Sequence, residues 1–300
     1  MPDALTISLV FEANSLNYGE GIANISELKK IHRANGDIYT YASRQSLSYD
    51  IARLGNELFQ WNLDTVDKAS GVVQFRPDVT IADATEMDLF GYLKTQRRTK
   101  KRAAVVRLSH AVSLEPFRSE FEFITNMGLA ERIGETSNPA NVEQHESLYT
   151  YTVTVDLHGI GVDPNDDVVL APAIRSRRVT QLLDILKILN RHIRGRQETL
   201  APLFAIGGVY PLANPFYLGR VGLDPSAEGH AIHLEPLTAI GEQTFAGHRV
   251  ADFTWVGYMP GVFTNEMDIN ETFGDRVLTI EDFFRTMSEA VQDVYARMEA

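Results

Sequence analysis

Apolar and polar residues alternate in two stretches of the chain, and this two-residue period predicts β-strands. The first stretch is 5–11, where the odd positions are apolar, and the second is 149–157. In the second, apolar side chains alternate with Thr150, Thr152, Thr154 and Asp156. Shorter apolar runs at 103–108 and 203–209 predict two more strands, buried in a core.

Three other stretches carry apolar residues at helical spacing and predict amphipathic helices at 43–59, 178–194 and 280–298. Ser43 is a good N-cap for the first, Gly195 a C-cap for the second, and Thr279 with Asp282 a capping box for the third. Up to residue 209 the order is β-α-β-β-α-β. This order predicts an α+β fold with a ferredoxin-like core, the arrangement of RNA-recognition motifs.

The spacing of these elements predicts one elaborated domain over 1–300, with two insertions and an extension. The insertions lie at about 60–102 and 109–148, the second expected as helix and loop, and the C-terminal helical extension covers about 210–300. The composition, 44% hydrophobic and 23% charged residues, suits a folded globular protein. We expect a cytoplasmic protein, because residues 1–12 lack a basic signal-peptide start and no uncharged apolar run is long enough to span a membrane.

The charge is unevenly distributed. The formal net charge is −12, from 28 basic and 40 acidic residues, and taken whole it argues against nucleic acid as a partner. However, residues 197–300 hold 15 acidic and only 5 basic residues, so most of the negative charge is C-terminal. The acid-free stretch between Asp88 and Glu115 contains seven basic residues: Lys94, Arg97, Arg98, Lys100, Lys101, Arg102 and Arg107. A second basic window covers 175–196, where Lys187, Arg191 and Arg194 are expected on one helix face near a C-terminal dipole.

The start of the first predicted helix has the groups that bind an anion. Ser43, Arg44 and Gln45 supply a hydroxyl, a guanidinium and an amide beside the free N–H groups of the first turn. The alternative interpretation is a well-capped helix with an exposed arginine.

Signals for an enzyme are weak. The chain has no cysteine, so thiolate nucleophiles and thiolate metal sites are excluded. His230, His233 and Glu235 lack the spacing of a helical metal site, and neither Asp37 nor Asp156 has a readable acid or base partner. We therefore expect no catalytic residues, no metal and no cofactor.

Several blocks resemble the DevR-type CRISPR-associated proteins of type I-B systems, in the Cas-seven family. The most specific block is Ser43-Arg44-Gln45-Ser46-Leu47, preceded by 36–42. The others are 15–20, Leu89-Phe90-Gly91-Tyr92, Arg107-Leu108-Ser109, the strand at 149–157 and the helix after Arg178.

The resemblance implies a backbone subunit of the Cascade surveillance complex that assembles in several copies along a CRISPR guide RNA. The implied partners are that RNA, target DNA through the guide, other copies of the chain and other Cascade subunits. Ser43 and Gln45 would contact the RNA backbone, with Asn17 close by and Arg44 within the same block. Charge and position add Arg97, Arg98, Lys100, Lys101, Arg102 and Arg107.

Two alternatives stay open. The first is a metal-dependent ribonuclease with Asp37 as its loop aspartate, and the second is an autoregulatory nucleic-acid-binding protein. The acidic C-terminal region would either meet a basic surface of the next copy or keep RNA off the outer face.

Overall fold

The computed structural model describes residues 3–21, 24–34, 36–68, 71, 73–95 and 99–299. The helices are α1 (Arg44–Phe59), α2 (Thr85–Phe90), α3 (Met127–Ala130), α4 (Pro172–Lys187), α5 (Leu234–Gly241), α6 (Glu266–Phe273) and α7 (Ile280–Glu299), with 3₁₀ turns at Glu131–Ile133, Val250–Phe253 and Gly274–Arg276. The strands are β1 (Ala4–Asn14), β2 (Ile25–Ser26), β3 (Lys30–His32), β4 (Ile38–Ala42), β5 (Val66–Asp67), β6 (Gln74–Phe75), β7 (Tyr92–Lys94), β8 (Lys100–Arg102), β9 (Val106–Leu108), β10 (Ala111–Ser113), β11 (Glu120–Thr125), β12 (Pro139–Gln144), β13 (Glu146–Asp156), β14 (Val162–Asp163), β15 (Val168–Val169), β16 (Asn190–Ile193), β17 (Arg196–Thr199), β18 (Phe204–Tyr210), β19 (Thr244–Phe245), β20 (His248–Arg249), β21 (Trp255–Tyr258) and β22 (Val277–Thr279).

The central sheet confirms the predicted fold class. Its strands lie in the order β22-β21-β18-β1-β13-β10-β4-β3, and β9 also pairs with β13. The order β18-β1-β13-β9 within it, with all three pairings antiparallel, is the ferredoxin-like arrangement predicted from the element order. Helices α1 and α4 are the two crossovers of this core.

One face of the sheet is covered by α1, α4 and α7. Alternate residues of β1, including Leu5, Ile7 and Leu9, point into this core and are fully buried. The helices contribute their own apolar stripes, such as Leu182 and Leu186 of α4. This packing fixes the start of α1 at the edge of the sheet, because α1 follows directly from β4 and Ser43 caps it.

The other face of the sheet carries hydroxyl groups and is partly covered by the C-terminal extension. The Thr6 hydroxyl donates to that of Thr154, and Ser8 and Thr152 lie 2.7 Å apart through their hydroxyl oxygens. A second apolar cluster, including Phe204 and Ile206 of β18, packs against residues of the extension. None of the described helices combines the length and the apolar composition that crossing a bilayer needs.

The structure corrects the second predicted helix. Helix α4 begins at Pro172 and ends at Lys187, and residues 190–199 form a β-hairpin. Arg194 and Gly195 both have positive φ, as a two-residue hairpin turn requires, so Gly195 is a turn residue and not a helix cap. The prediction that Lys187, Arg191 and Arg194 share a helix face is therefore wrong.

Two other segments also differ from their predictions. Of the predicted strand at 103–108, only Val106–Leu108 joins the central sheet. The residues just before 103 form β8, which pairs with β7 outside the central sheet. The second insertion is mainly strand: β11 and β12 form an antiparallel ribbon joined to β2. We call residues 120–144 the arm, and all six residues of β11 are exposed.

Candidate nucleic-acid interface

The start of α1 is exposed and carries no acidic side chain. The Ser43 hydroxyl accepts a hydrogen bond from the Ser46 amide at 3.3 Å, and the side chains of Arg44 and Gln45 are exposed. No acidic residue occupies the first turn of the helix. The capping prediction is confirmed, and the helix presents a cation, an amide side chain and the positive end of its dipole.

A histidine that the sequence analysis missed lies against this helix start. His110 is exposed, and its Nδ1 accepts a hydrogen bond from the Arg44 amide at 3.1 Å. Its ring packs 5.1 Å from the Tyr41 ring, centroid to centroid. Nothing in the local sequence indicates this contact, because it depends on the pairing of β10 with β4.

Arg107 of β9 lies on the face of the sheet that the helices leave free. Its neighbours Val106 and Leu108 point into the helix-covered core, so the Arg107 side chain projects from the opposite face, and it is exposed. With Ser109, Thr152 and Thr154 it lines a cleft of about 170 Å³ whose other wall is Ala213, Pro215 and Leu218. The described part of the chain supplies no carboxylate to either Arg44 or Arg107, so both guanidinium groups are available to an anion.

Asn17 belongs to a neighbouring segment, residues 15–21 and 24–28, which we call the front segment. Its carbonyl accepts from the Lys29 amide at 2.8 Å, and the Lys29 carbonyl accepts from the Tyr41 amide at 2.9 Å. Through Lys29, Asn17 is thus linked to the strand that leads into α1. Its side chain is only 7% exposed, and its contact with RNA stays a prediction.

The basic run does not form one surface. Arg102 is only 8% exposed, and its guanidinium pairs with Asp88 at 2.8 Å and donates to the Gly159 carbonyl at 2.9 Å. It is a core residue, and the expectation that it contacts RNA is corrected, because Asp88 and backbone carbonyls already take its donors. Lys94 is buried as well, and Lys100 pairs with Asp166. Lys101 is exposed, whereas Arg97 and Arg98 lie outside the described residues.

The second basic window is largely internal too. Arg178 pairs with Asp88 at 2.7 Å, and Arg191 pairs with the buried Asp50 at 2.8 Å. Arg175 donates to the Leu157 and His158 carbonyls. The sequence analysis expected a structural role only for Lys187, Arg191 and Arg194, and it placed the two arginines on the helix instead of the hairpin; the internal partners of Arg175 and Arg178 were not predicted.

The candidates for metal chemistry lie apart. Within the described ranges, no group of three His, Asp or Glu side chains could hold a metal ion. His230 approaches Glu115 at 3.7 Å, and His233 approaches Glu235 at 3.9 Å. Asp37 is exposed in the turn between β3 and β4.

Comparison with protein-family models places residues 5–217 in the family described as "CRISPR-associated negative auto-regulator DevR/Csa2". The chain belongs to this DevR/Csa2 family. The matched range includes α1, the front segment, Arg107 and the arm. A search of curated proteins found no match.

Two solved structures share the fold. A chain of a "CRISPR RNA-guided surveillance complex, pre-nicking" is similar at a TM-score of 0.58 and 12% identity, covering 98% of this chain and 99% of that one. A chain of a "CRISPR RNA-guided surveillance complex" is similar at a TM-score of 0.56 with the same identity and coverage. At this identity the likeness shows a shared fold over nearly the whole length of both chains.

Proposed function

We propose that this protein is a guide-RNA-binding backbone subunit of a type I-B CRISPR surveillance complex. Several copies assemble along one guide RNA and leave its bases free to pair with target DNA. The protein holds the sugar-phosphate backbone, and pairing between guide and target reads the sequence. We further propose that it works in the cytoplasm beside other Cascade subunits and cleaves no nucleic acid itself.

The observation that carries this proposal is the surface around the start of α1. Arg44 and Gln45 are exposed there, Arg107 is exposed on the sheet face away from the helices, and no carboxylate from the described residues neutralises either guanidinium. A helix N-terminus with adjacent cations suits phosphate without regard to base identity. Family membership and the fold shared with chains of RNA-guided complexes support RNA as the ligand.

The first test is coexpression of the chain with a CRISPR guide RNA. We expect a purified assembly that contains RNA and whose size falls on nuclease treatment. A protein that purifies free of nucleic acid, in an assembly that nuclease leaves intact, contradicts the proposal.

The second test addresses the surface. We expect the double variant Arg44→Ala with Gln45→Ala to remain folded but to bind RNA about tenfold more weakly, since it loses a phosphate contact and a hydrogen bond. Arg177→Ala is the matched control, because Arg177 is an exposed arginine of α4 without an acidic partner among the described residues. Equal RNA retention by the double variant and the control would exclude this surface.

Assembly needs a second surface, and we propose the arm for it. Phe123 is 65% and Ile133 76% exposed, and β11 forms the free edge of its small sheet. Exposed apolar edge strands pair readily with another protein chain. In the proposed function, that chain is a second copy of the protein bound along the same RNA. We expect Phe123→Ser with Ile133→Ser to give shorter RNA-bound assemblies by light scattering, while binding of an RNA long enough for one copy is unchanged.

One alternative has a specific observation in its favour. The description of the matched family includes negative auto-regulation, so an isolated subunit that binds DNA of its own operon is the second candidate. Specific retardation of that DNA by RNA-free protein would favour it. A ribonuclease using Asp37 is the third, and a cut product in the presence of divalent metal that Asp37→Ala abolishes would favour it over the binding role.

A further inference from the structure

The hairpin formed by β16 and β17, which we call the brace, is hydrogen-bonded to the first three turns of α1. From β16, Arg191 donates to the Ser46 carbonyl at 3.3 Å and to the Asp50 carboxylate at 2.8 Å. In return, Arg53 of α1 donates to the carbonyl and the side-chain oxygen of Asn190, both at 2.8 Å. The contacts reach the turn that directly follows Arg44 and Gln45.

The tip of the same brace contacts the front segment. Arg194 donates to the Ser26 hydroxyl at 2.8 Å, and its guanidinium lies 4.4 Å from the centre of the Tyr18 ring. Tyr18 is adjacent to Asn17 and bridges to Leu28 across the front segment. At the end of β1, the Asn14 amide donates to Glu198 of β17 at 3.1 Å. The brace therefore contacts both segments that carry the proposed RNA contacts.

Two features, one in the brace and one at its contact with α1, cost folding free energy. Arg194 has a φ of +48° at the first position of the turn, where Asn, Asp or Gly is favoured. Asp50 is buried, and burial raises its pKa despite the opposing attraction of Arg191 and Arg53. Buried ion pairs contribute little net stability, so a fixed geometry explains their use here better than stability does. The same holds for an arginine in a left-handed conformation.

We propose that the brace is a positioning element that sets the start of α1 and the front segment in one geometry for RNA. This inference rests on the proposed function. Arg191 and Arg194 act through the residues they hold: Arg191 fixes the turn that presents Arg44 and Gln45, and Arg194 fixes the segment that contains Asn17. Without the brace, each RNA contact still forms, but the protein loses affinity because it must order the surface when RNA binds.

The dependence of affinity on salt separates positioning from contact. On a single strand, each phosphate that a cation neutralises steepens the slope of log affinity against log salt by about 0.7. A residue that holds other residues in place changes the affinity and leaves this slope unaltered. The experiment is therefore a titration of full-length protein with a single-stranded RNA of guide sequence at several salt concentrations.

Two brace variants are needed, because Arg191→Ala leaves Asp50 buried without its nearest cation and can unfold the chain. The first replaces the pair by apolar residues, Arg191→Met with Asp50→Leu, which keeps the volume filled. The second is Arg194→Ala, which changes an exposed side chain. We expect each to bind RNA about tenfold more weakly at an unchanged salt slope. Arg44→Ala should make the slope less steep by about 0.7, and Arg177→Ala should change neither quantity.

The outcomes distinguish this inference from the proposed function. If Arg44→Ala leaves affinity and slope unchanged, the proposed RNA surface is wrong. If Arg44→Ala lowers both the affinity and the salt slope while the two brace variants bind like wild type, the proposed RNA surface stands. The positioning role of the brace is then wrong. A slope less steep by about 0.7 in Arg194→Ala also overturns it, because Arg194 then contacts phosphate directly.

Discussion

At the scale of single residues, neighbours in one basic run have opposite roles. Arg102 and Arg107 belong to the same acid-free stretch, and charge counting predicts the same function for both. Arg102 is enclosed by Asp88, the Gly159 carbonyl and the Val162 carbonyl, whereas Arg107 projects from the sheet. The sequence could not separate them, because these partners come from segments that only the fold brings together.

Arg102→Ala should destabilise the protein by about 3–5 kcal/mol. The variant leaves Asp88, which is fully buried, with Arg178 as its one remaining ion-pair partner among the described residues. Urea denaturation measures the loss, and Arg107→Ala is the control because an exposed substitution should change stability by no more than about 0.5 kcal/mol. If the two variants unfold at the same urea concentration, Arg102 does not have the structural role assigned to it.

His145 should make stability depend on pH. It is 7% exposed, its Nδ1 lies 2.7 Å from the Thr40 hydroxyl, and burial lowers its pKa despite Glu115 and Glu120. In the unfolded chain histidine titrates near its ordinary pKa of about 6.5, so the unfolded state binds the proton first and stability falls as pH drops through that value. We expect wild type to lose more unfolding free energy between pH 7.5 and 5.5 than His145→Gln. Equal losses would show that His145 does not contribute.

At the scale of elements, periodicity succeeded where one face meets the core. Strand β13 and helices α1 and α7 were predicted to within a few residues, because their apolar residues repeat at the period of the element. The brace and the arm were missed. The brace has an apolar residue at 193 that continues the helical spacing of α4, and β11 is exposed on every residue, so neither carries a pattern that a core imposes.

Ser43 tests whether the start of α1 serves as a cap, as an RNA contact or as both. Ser43→Ala should cost about 1 kcal/mol of stability, whereas Ser43→Asp should keep the cap because Asp is an equally good N-cap. The aspartate places a negative charge where phosphate would bind, so we expect Ser43→Asp to be as stable as wild type and to bind RNA at least about tenfold more weakly. Denaturation and RNA titration give the two readings. RNA binding as tight as wild type in Ser43→Asp would place the phosphate away from this terminus.

At the scale of the whole molecule, the net charge of −12 hides a division of roles. Most of the net negative charge lies beyond residue 196, while Arg44 at the start of α1 and Arg107 of β9 have no carboxylate partner among the described residues. The sequence predicted this division and the helix-start block, but not the participation of His110 or the internal role of most arginines. The acids at the start of α7 also have local partners: Glu281 pairs with Lys187 at 2.9 Å. The Asp282 carboxylate accepts a hydrogen bond from the Thr279 hydroxyl at 2.9 Å, and the Asp282 amide donates one back to that hydroxyl at 3.1 Å.

The acids of α6 therefore report on the electrostatic role of the C-terminal region better than Glu281 or Asp282. Asp268 and Glu271 are exposed, and the described residues offer them no cation. We expect Asp268→Asn with Glu271→Gln to raise the affinity for RNA of unrelated sequence about two- to fivefold at low salt, because two charges that repel phosphate are removed. Affinity at the α1 surface should not change. The control keeps the charge and alters the shape, Asp268→Glu with Glu271→Asp. If the neutral variant and the control bind unrelated RNA equally, the acidity does not keep RNA off this face.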